Sequence, residues 1–187
     1  PELHTISRLQ TNIIYTISMK EVQIKDSTLR MAASNGMKSF VSVFVDAINE
    51  TVNGELTAET MAELNSDQIT LLAWDILHEE VMEGGFLQLI YNGYGAFIFR
   101  NPFAKAVKEW GMTELSRLIR KAHQYYSKYH EEIEQELTDD EFMALYEQMP
   151  EFDEYDDTFV EHEEAWTEDV ARYIDDHIDR FAQVVND

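Results

Sequence analysis

Residues 66–85 read SDQITLLAWDILHEEVMEGG, and the apolar positions in this run decide the fold class. Ile69, Leu72, Ala73, Ile76, Leu77 and Val81 recur three and four apart. That is one face of an α-helix, not the alternation of a strand. Ser66 reads as the N-cap and Gly84-Gly85 as the stop. A second apolar piece, Phe86 to Tyr91, then runs into Asn92-Gly93-Tyr94-Gly95.

The same pattern extends in both directions. Toward the C-terminus, Pro102 starts a helix from Phe103 to Trp110, and Gly111 ends it. Thr113 reads as the cap of a long helix carrying Leu115, Leu118, Ile119, Ala122, Tyr125, Tyr126 and Tyr129. Thr138-Asp139-Asp140-Glu141 has the form of a capping box, with Phe142, Leu145 and Tyr146 behind it and a break at Pro150. Phe152, Tyr155 and Phe159 keep helical spacing. Thr167 reads as the cap of a last helix with Val170, Tyr173, Ile174, Ile178 and Phe181 facing inward. Toward the N-terminus, Thr57 caps a short helix reaching Leu64. Phe40, Val41, Phe44, Val45 and Ile48 mark a helix that ends at Asn53-Gly54, and Asp26 or Ser27 caps another that ends before Asn35-Gly36.

The first 25 residues fit a helix through Ile6, Leu9, Ile13 and Ile17, and a strand through Ile13, Tyr15, Ile17 and Met19. Both stay open, with helix preferred. Only three prolines and seven glycines interrupt the 187 residues. The expectation is therefore an all-α, single-domain bundle of eight to ten helices, strongly acidic in its C-terminal third. Residues 1–56 form an N-terminal helical segment, and residues 57–187 the main helical unit of one compact domain.

Charge narrows the function. The formal net charge is −23, and residues 131–187 hold 22 of the 37 Asp and Glu against only Arg172 and Arg180. Such a surface repels nucleic acid and anionic membranes and attracts a basic protein. No cysteine is present, so there is no disulfide framework. The N-terminal residues lack a basic-then-apolar leader, and no apolar run approaches a membrane span. These features predict a soluble, cytoplasmic protein.

An acidic run is often only a solvated face or a disordered tail. Here an aromatic or aliphatic residue recurs every three or four positions from Phe142 to Phe181, so the carboxylates can project from ordered helices. Solubility alone needs a net charge of only about 2–8. Carboxylates on neighbouring turns lie ~5–6 Å apart, so several helices could place them where the phosphates of a duplex would sit. The partner-binding set read this way is Glu131, Glu132, Glu134, Asp139, Asp140, Glu151, Asp153, Glu154, Asp156, Asp157, Glu161, Glu163 and Glu164.

The run Glu80-Val81-Met82-Glu83-Gly84-Gly85-Phe86-Leu87-Gln88-Leu89-Ile90-Tyr91-Asn92-Gly93-Tyr94-Gly95 resembles the signature of the DNA mimic protein 19 family. The order that follows is similar too: a helix ending in Trp110-Gly111, a long helix, an acidic stretch, and a last helix with Tyr173-Ile174. The resemblance covers about residues 57–183. It departs at Leu89 and Gly93, where the family pattern has an aromatic and a serine. It implies an all-helical fold, often dimeric, and mimicry of DNA charge by which a DNA-binding protein is occupied. For Glu83, Gly84, Gly85, Phe86, Gln88, Asn92 and Gly95, the preferred reading is structural, a tight junction between two helices. The competing reading is a small polar pocket around Glu83, Gln88 and Asn92.

The pattern carries no recognisable site of another kind. His78-Glu79-Glu80 lacks the second histidine of a zinc-protease helix. Asp153, Asp157 and Glu164 lack the glycine and spacing of a calcium loop. No phosphate-binding glycine loop or nucleophile elbow occurs. The sequence therefore predicts a non-enzymatic interaction protein, without cofactor or metal, that sequesters a basic DNA-binding protein such as a transcription factor. The alternatives are an immunity-like protein neutralising a basic toxin or nuclease, and an enzyme with an unrecognised acidic site.

Overall fold

Ten helices and one pair of short strands make up residues 19–187, the part of the chain that this computed structural model describes. The choice between helix and strand at the N-terminus falls mostly on residues 1–18, outside the described residues. At Gln23–Lys25 the chain is a strand, β1, which corrects the preference for helix there. β1 pairs in parallel with β2, Gln183–Val185, with Gln23 opposite Gln183 and Lys25 opposite Val185. Three residues carry no periodicity to read, and their hydrogen bonds come from the far end of the chain.

Helices α1 (Asp26–Ser34) and α2 (Met37–Thr51) form a hairpin turned at Asn35-Gly36, where Gly36 has φ +105°. α2 buries Val41, Phe44, Val45 and Ile48, the face that its spacing predicts. α3 (Ala58–Ala62) starts at a Thr57 capping box. α4 (Ser66–Tyr91) carries the deciding apolar run, but its cap is Asn65 and not Ser66. Gln68 stands three residues after Asn65 and returns a bond to its N–H at 3.0 Å. Ile69, three after Ser66, cannot do this. Asn65 and Gln68 also donate to the carbonyls of Arg180 and Phe181, at 2.7 and 2.9 Å, which ties the start of α4 to the C-terminal end.

The remaining helices are α5 (Gly95–Phe99), α6 (Phe103–Glu109), α7 (Thr113–Ile133), α8 (Asp139–Gln148), α9 (Asp153–Asp176) and α10 (Ile178–Phe181). A 3-10 turn, Pro150–Phe152, leads into α9. The Thr138 capping box is present. Three other predicted caps are corrected. Lys25, and not Asp26 or Ser27, holds the cap position of α1, with no side-chain capping bond. Buried Met112 holds the cap position of α7, and Thr113 makes no capping bond. Thr167 lies buried inside α9 and donates to Glu163 at 3.1 Å. The apolar series Phe159, Trp166, Val170, Ile174 runs through it on one face of one 24-residue helix.

α9 packs against α2, α4 and α7. Phe159 lies 6.0 Å from the Trp74 ring and 5.4 Å from Trp166, and Tyr173 stacks on Trp110 at 4.4 Å. Each such buried side chain stabilises by roughly 1.5–3 kcal/mol. Like charges three or four residues apart on the outer face oppose by only about 0.2–0.5 kcal/mol per pair. The inner face therefore holds α9 helical despite its carboxylates. The expected all-α bundle is the architecture found, the strand pair being its exception among the described residues.

Candidate functional site

α4 breaks at the glycine pair. Gly84 (φ −152°, ψ 19°) and Gly85 (φ 74°, ψ −175°) leave helical geometry, and the helix restarts at Phe86. A restarting helix exposes N–H groups that need acceptors. Asp156 of α9 supplies one, accepting from the Phe86 N–H at 2.8 Å. Tyr146 of α8 donates to the Gly84 carbonyl at 2.7 Å. A Cβ on Gly85 would lie 2.3 Å from Asp156 Oδ2, so glycine is required both for the positive φ and for this approach. Gln88 donates to Glu80 and Glu83, each at 3.1 Å, and Asn92 donates to Glu80 at 2.8 Å. Phe86 is fully buried. A Cβ on Gly95 would meet the buried Tyr126 ring at 2.5 Å. The motif side chains are thus occupied with one another, with α8 and with α9.

The thirteen acidic residues separate by burial. Glu131, Glu132, Glu134, Asp139, Asp140, Asp153, Glu154, Asp157, Glu161 and Glu164 are exposed. The other three turn partly inward. Besides Asp156, Glu151 accepts from the Tyr129 hydroxyl at 2.6 Å. Glu163 lies 2.6 Å from His78 Nε2 and accepts from Thr167. Burial pulls the Glu163 carboxyl upward, but the His78 and Thr167 bonds outweigh it and hold it below the usual range. Burial pushes Asp156 up to about 7, reinforced by Asp153 and Asp157 and opposed by the Phe86 N–H. In α4, burial with Glu79 raises Asp75 to about 6 against the pull of His78.

The exposed acids of α9 are aligned. Glu154, Asp157, Glu161, Glu164, Glu168 and Asp175 are all exposed. At about 100° per residue they fall within an arc of ~80°. Glu168 and Asp175 were missing from the sequence-derived set, because α9 was divided at Thr167. Their continuation of the three-and-four spacing from Glu154 was the available signal. From Glu154 to Glu168 the carboxylates come about every 5 Å of helix axis. The one base in the arc, Arg172, is bound to Glu168 and Asp169 at 2.7 and 3.1 Å.

α7 runs antiparallel to α9. Tyr125 lies 5.6 Å from Tyr155, and Tyr129 reaches Glu151. Of the acids at the C-terminal end of α7, Glu132 shares the Tyr125 and Tyr129 side that meets α9, whereas Glu131 and Glu134 lie well round the helix from it, and Glu134 accepts from the Tyr126 hydroxyl at 3.3 Å. Asp139 and Asp140 open α8 a few residues later. Among the described residues, no group of three or more His, Asp or Glu is placed to hold a metal ion. Nor is any helix among them long and apolar enough to cross a membrane.

Comparison with known proteins adds two findings. A family profile described as DMP19-like protein matches residues 62–177, from the end of α3 to the end of α9. The DNA mimic protein DMP19 of Neisseria meningitidis serogroup B (strain ATCC BAA-335 / MC58) is 36% identical over 128 residues, which are 67% of this chain and 77% of that protein.

Proposed function

The chain belongs to the DMP19-like protein family, and from that premise we propose that it acts as a DNA mimic, holding a basic DNA-binding protein by the surface that protein uses for DNA. The observation that carries this is the row of six exposed carboxylates on one arc of α9, with one base in it already bound to acids. The α9 row alone, at about one charge per 5 Å, is sparser than one DNA strand, at about one per 3.4 Å. The mimicking surface therefore includes Glu131, Glu132, Glu134, Asp139 and Asp140 at the flanking helix ends. Opposed charges of this kind accelerate encounter and fix orientation, and salt weakens both effects. Glu151, Asp156 and Glu163 belong to the fold and contribute little direct contact.

The test is capture of a basic protein from source lysate at low salt, followed by competition with duplex DNA. Wild type should hold the partner until DNA or salt is added. The combined change Asp157→Asn, Glu161→Gln, Glu164→Gln and Glu168→Gln should lose it while keeping the helical circular-dichroism spectrum. Capture that survives either the DNA or the substitutions would defeat the proposal.

A further inference from the structure

The turn from α1 into α2 lies against the last turns of α9 and leaves a groove of about 480 Å³ between them. Gly36, Met37 and Phe40 line one wall, and Glu168, Ala171 and Asp175 line the other. Met37 is 50% exposed at the first turn of α2, one of several exposed methionines, and it lines the groove together with Phe40 and Ala171. Val160, 53% exposed, stands eleven residues before Ala171, about three turns back on the same side of α9. The α9 wall lies inside the family-matched span, whereas the Gly36–Phe40 wall precedes it. The acidic row reaches the rim through Glu168 and Asp175. Arg172, also at the rim, is neutralised by Glu168 and Asp169, so the spare charge there is negative.

We infer that this groove seats an apolar side chain of the basic partner, flanked by that partner's lysines or arginines. This rests on the proposed function and adds a source of selectivity to it. A row of carboxylates accepts any cationic surface of suitable length, because charge attraction is long-ranged and tolerant of register. An apolar contact next to the row discriminates among cationic surfaces by shape, and the flexible thioether of Met37 can adapt to the incoming side chain. Charge complementarity selects the occupant. A second copy would bring net charge −23 and its own acidic α9 to the rim. The first eighteen residues are apolar enough, but Glu2 and Arg8 cancel, so they offer the rim no cation excess.

Two fluorescein-labelled peptides of roughly sixteen residues test this on the full chain. Both carry the same lysines at helical spacing. One has two leucines four residues apart at its centre, and the other has serines there. Anisotropy titrations should give about tenfold tighter binding for the leucine peptide. The ratio should persist from ~50 to ~200 mM NaCl while both affinities fall. Met37→Ser should bring the ratio close to one with little change for the serine peptide, and Met37→Leu should restore it. Glu164→Gln with Glu168→Gln should weaken both peptides together.

Equal binding of the two peptides, or a ratio that Met37→Ser leaves intact, overturns the groove while the acidic row stands. Failure of both peptides to bind overturns the groove and the acidic row together. A dimer in sedimentation that Met37→Ser dissolves would assign the groove to a second copy and overturn the inference. Displacement of the leucine peptide by a synthetic peptide of residues 1–18 would assign it to the chain's own N-terminus, with the same consequence.

Discussion

At the scale of single residues, Asp156 joins the glycine junction to the acidic helix. Its carboxylate caps the restarted helix at Phe86, yet burial with Asp153 and Asp157 raises its pKa from 3.8 to about 7. Between those two values the folded protein keeps a proton that the unfolded chain has released. Stability from this group is therefore complete below about pH 4 and is lost as pH rises through about 7. Asp156→Asn keeps an acceptor for the Phe86 N–H and never ionises. Its gain over wild type should be near zero at about pH 4 and reach on the order of 3–4 kcal/mol by about pH 8. Urea denaturation of both proteins at both pH values measures it, and no gain at the higher pH would refute the buried-charge account. The neighbouring glycines make a second pair of predictions. Gly85→Ala combines a positive φ with a clash against the Asp156 carboxyl, a group fixed by its bond to Phe86. It should cost roughly 2–4 kcal/mol, the sum of backbone strain and overpacking. Gly84→Ala meets the Gln88 side chain, whose amide can swing away from Glu80 and Glu83 but whose Cβ, at 2.9 Å, cannot, so the backbone has to give slightly. With no positive φ to overcome, it should cost less than Gly85→Ala in the same denaturation experiment.

At the scale of elements, α9 carries charges that its own dipole opposes. Asp153, Glu154 and Asp156 in the first turn are favoured there, but Asp175 and Asp176 close the helix with no base in the last turn. Asp176→Lys should add about 0.3–1 kcal/mol, most of it lost at high salt. Thermal melts at low and high NaCl check this, and a gain that ignores salt would point to some other cause. The helices themselves were legible where apolar spacing was long, as in α2, α4 and α7. Caps were legible only where the third residue could answer back. Thr57 and Thr138 met that condition, Ser66 and Thr167 did not, and Ser116, three residues after Thr113, is buried and donates to the Ala104 carbonyl instead. A threonine inside a helix can bond to the preceding turn as readily as it can cap, and Thr167 does so through Glu163. α5 went unseen because its five residues carry no stripe of their own, and Gly95 fits there by its close approach to Tyr126. The acidic face was legible as composition. Which acids turn inward was not, because Asp156 and Glu163 find their partners 70 and 85 positions away.

At the scale of the whole molecule, charge is separated along the chain, and the two signs meet where Arg117 and Lys121 of α7 line a cleft with Glu154 of α9. Residues 100–130 hold seven Lys and Arg against Glu109 and Glu114, while the following segment is almost wholly acidic. The exposed face of α7 changes sign along its length, from Arg117, Arg120, Lys121 and Lys128 to Glu131, Glu132 and Glu134. A basic partner is therefore drawn to the α9 row beyond Glu154 and repelled from Arg117 and Lys121 at the cleft beside it, which biases its direction of approach. The same distribution sets how salt acts. Duplex DNA, with about one charge per 1.7 Å of axis, holds a dense counterion layer, and its release makes log K fall with a slope of about −0.9 per phosphate contacted. Carboxylates about 5 Å apart along α9 hold a thinner layer and release fewer ions per contact. For the leucine-bearing lysine peptide, the salt slope on this protein should therefore be shallower than on a duplex of about twenty base pairs. As NaCl rises from ~50 to ~300 mM the peptide should redistribute from DNA toward the protein, even while both complexes weaken. Competition anisotropy across that range reads the redistribution directly. A slope as steep as that of DNA would mean that the carboxylates act as a continuous polyanion, with the α7 and α8 acids interleaved with the α9 row. The shallower slope would mean that the α7 and α8 acids extend the α9 row at its end without closing its spacing to that of a duplex, and that the protein competes with DNA best where DNA itself is weakest.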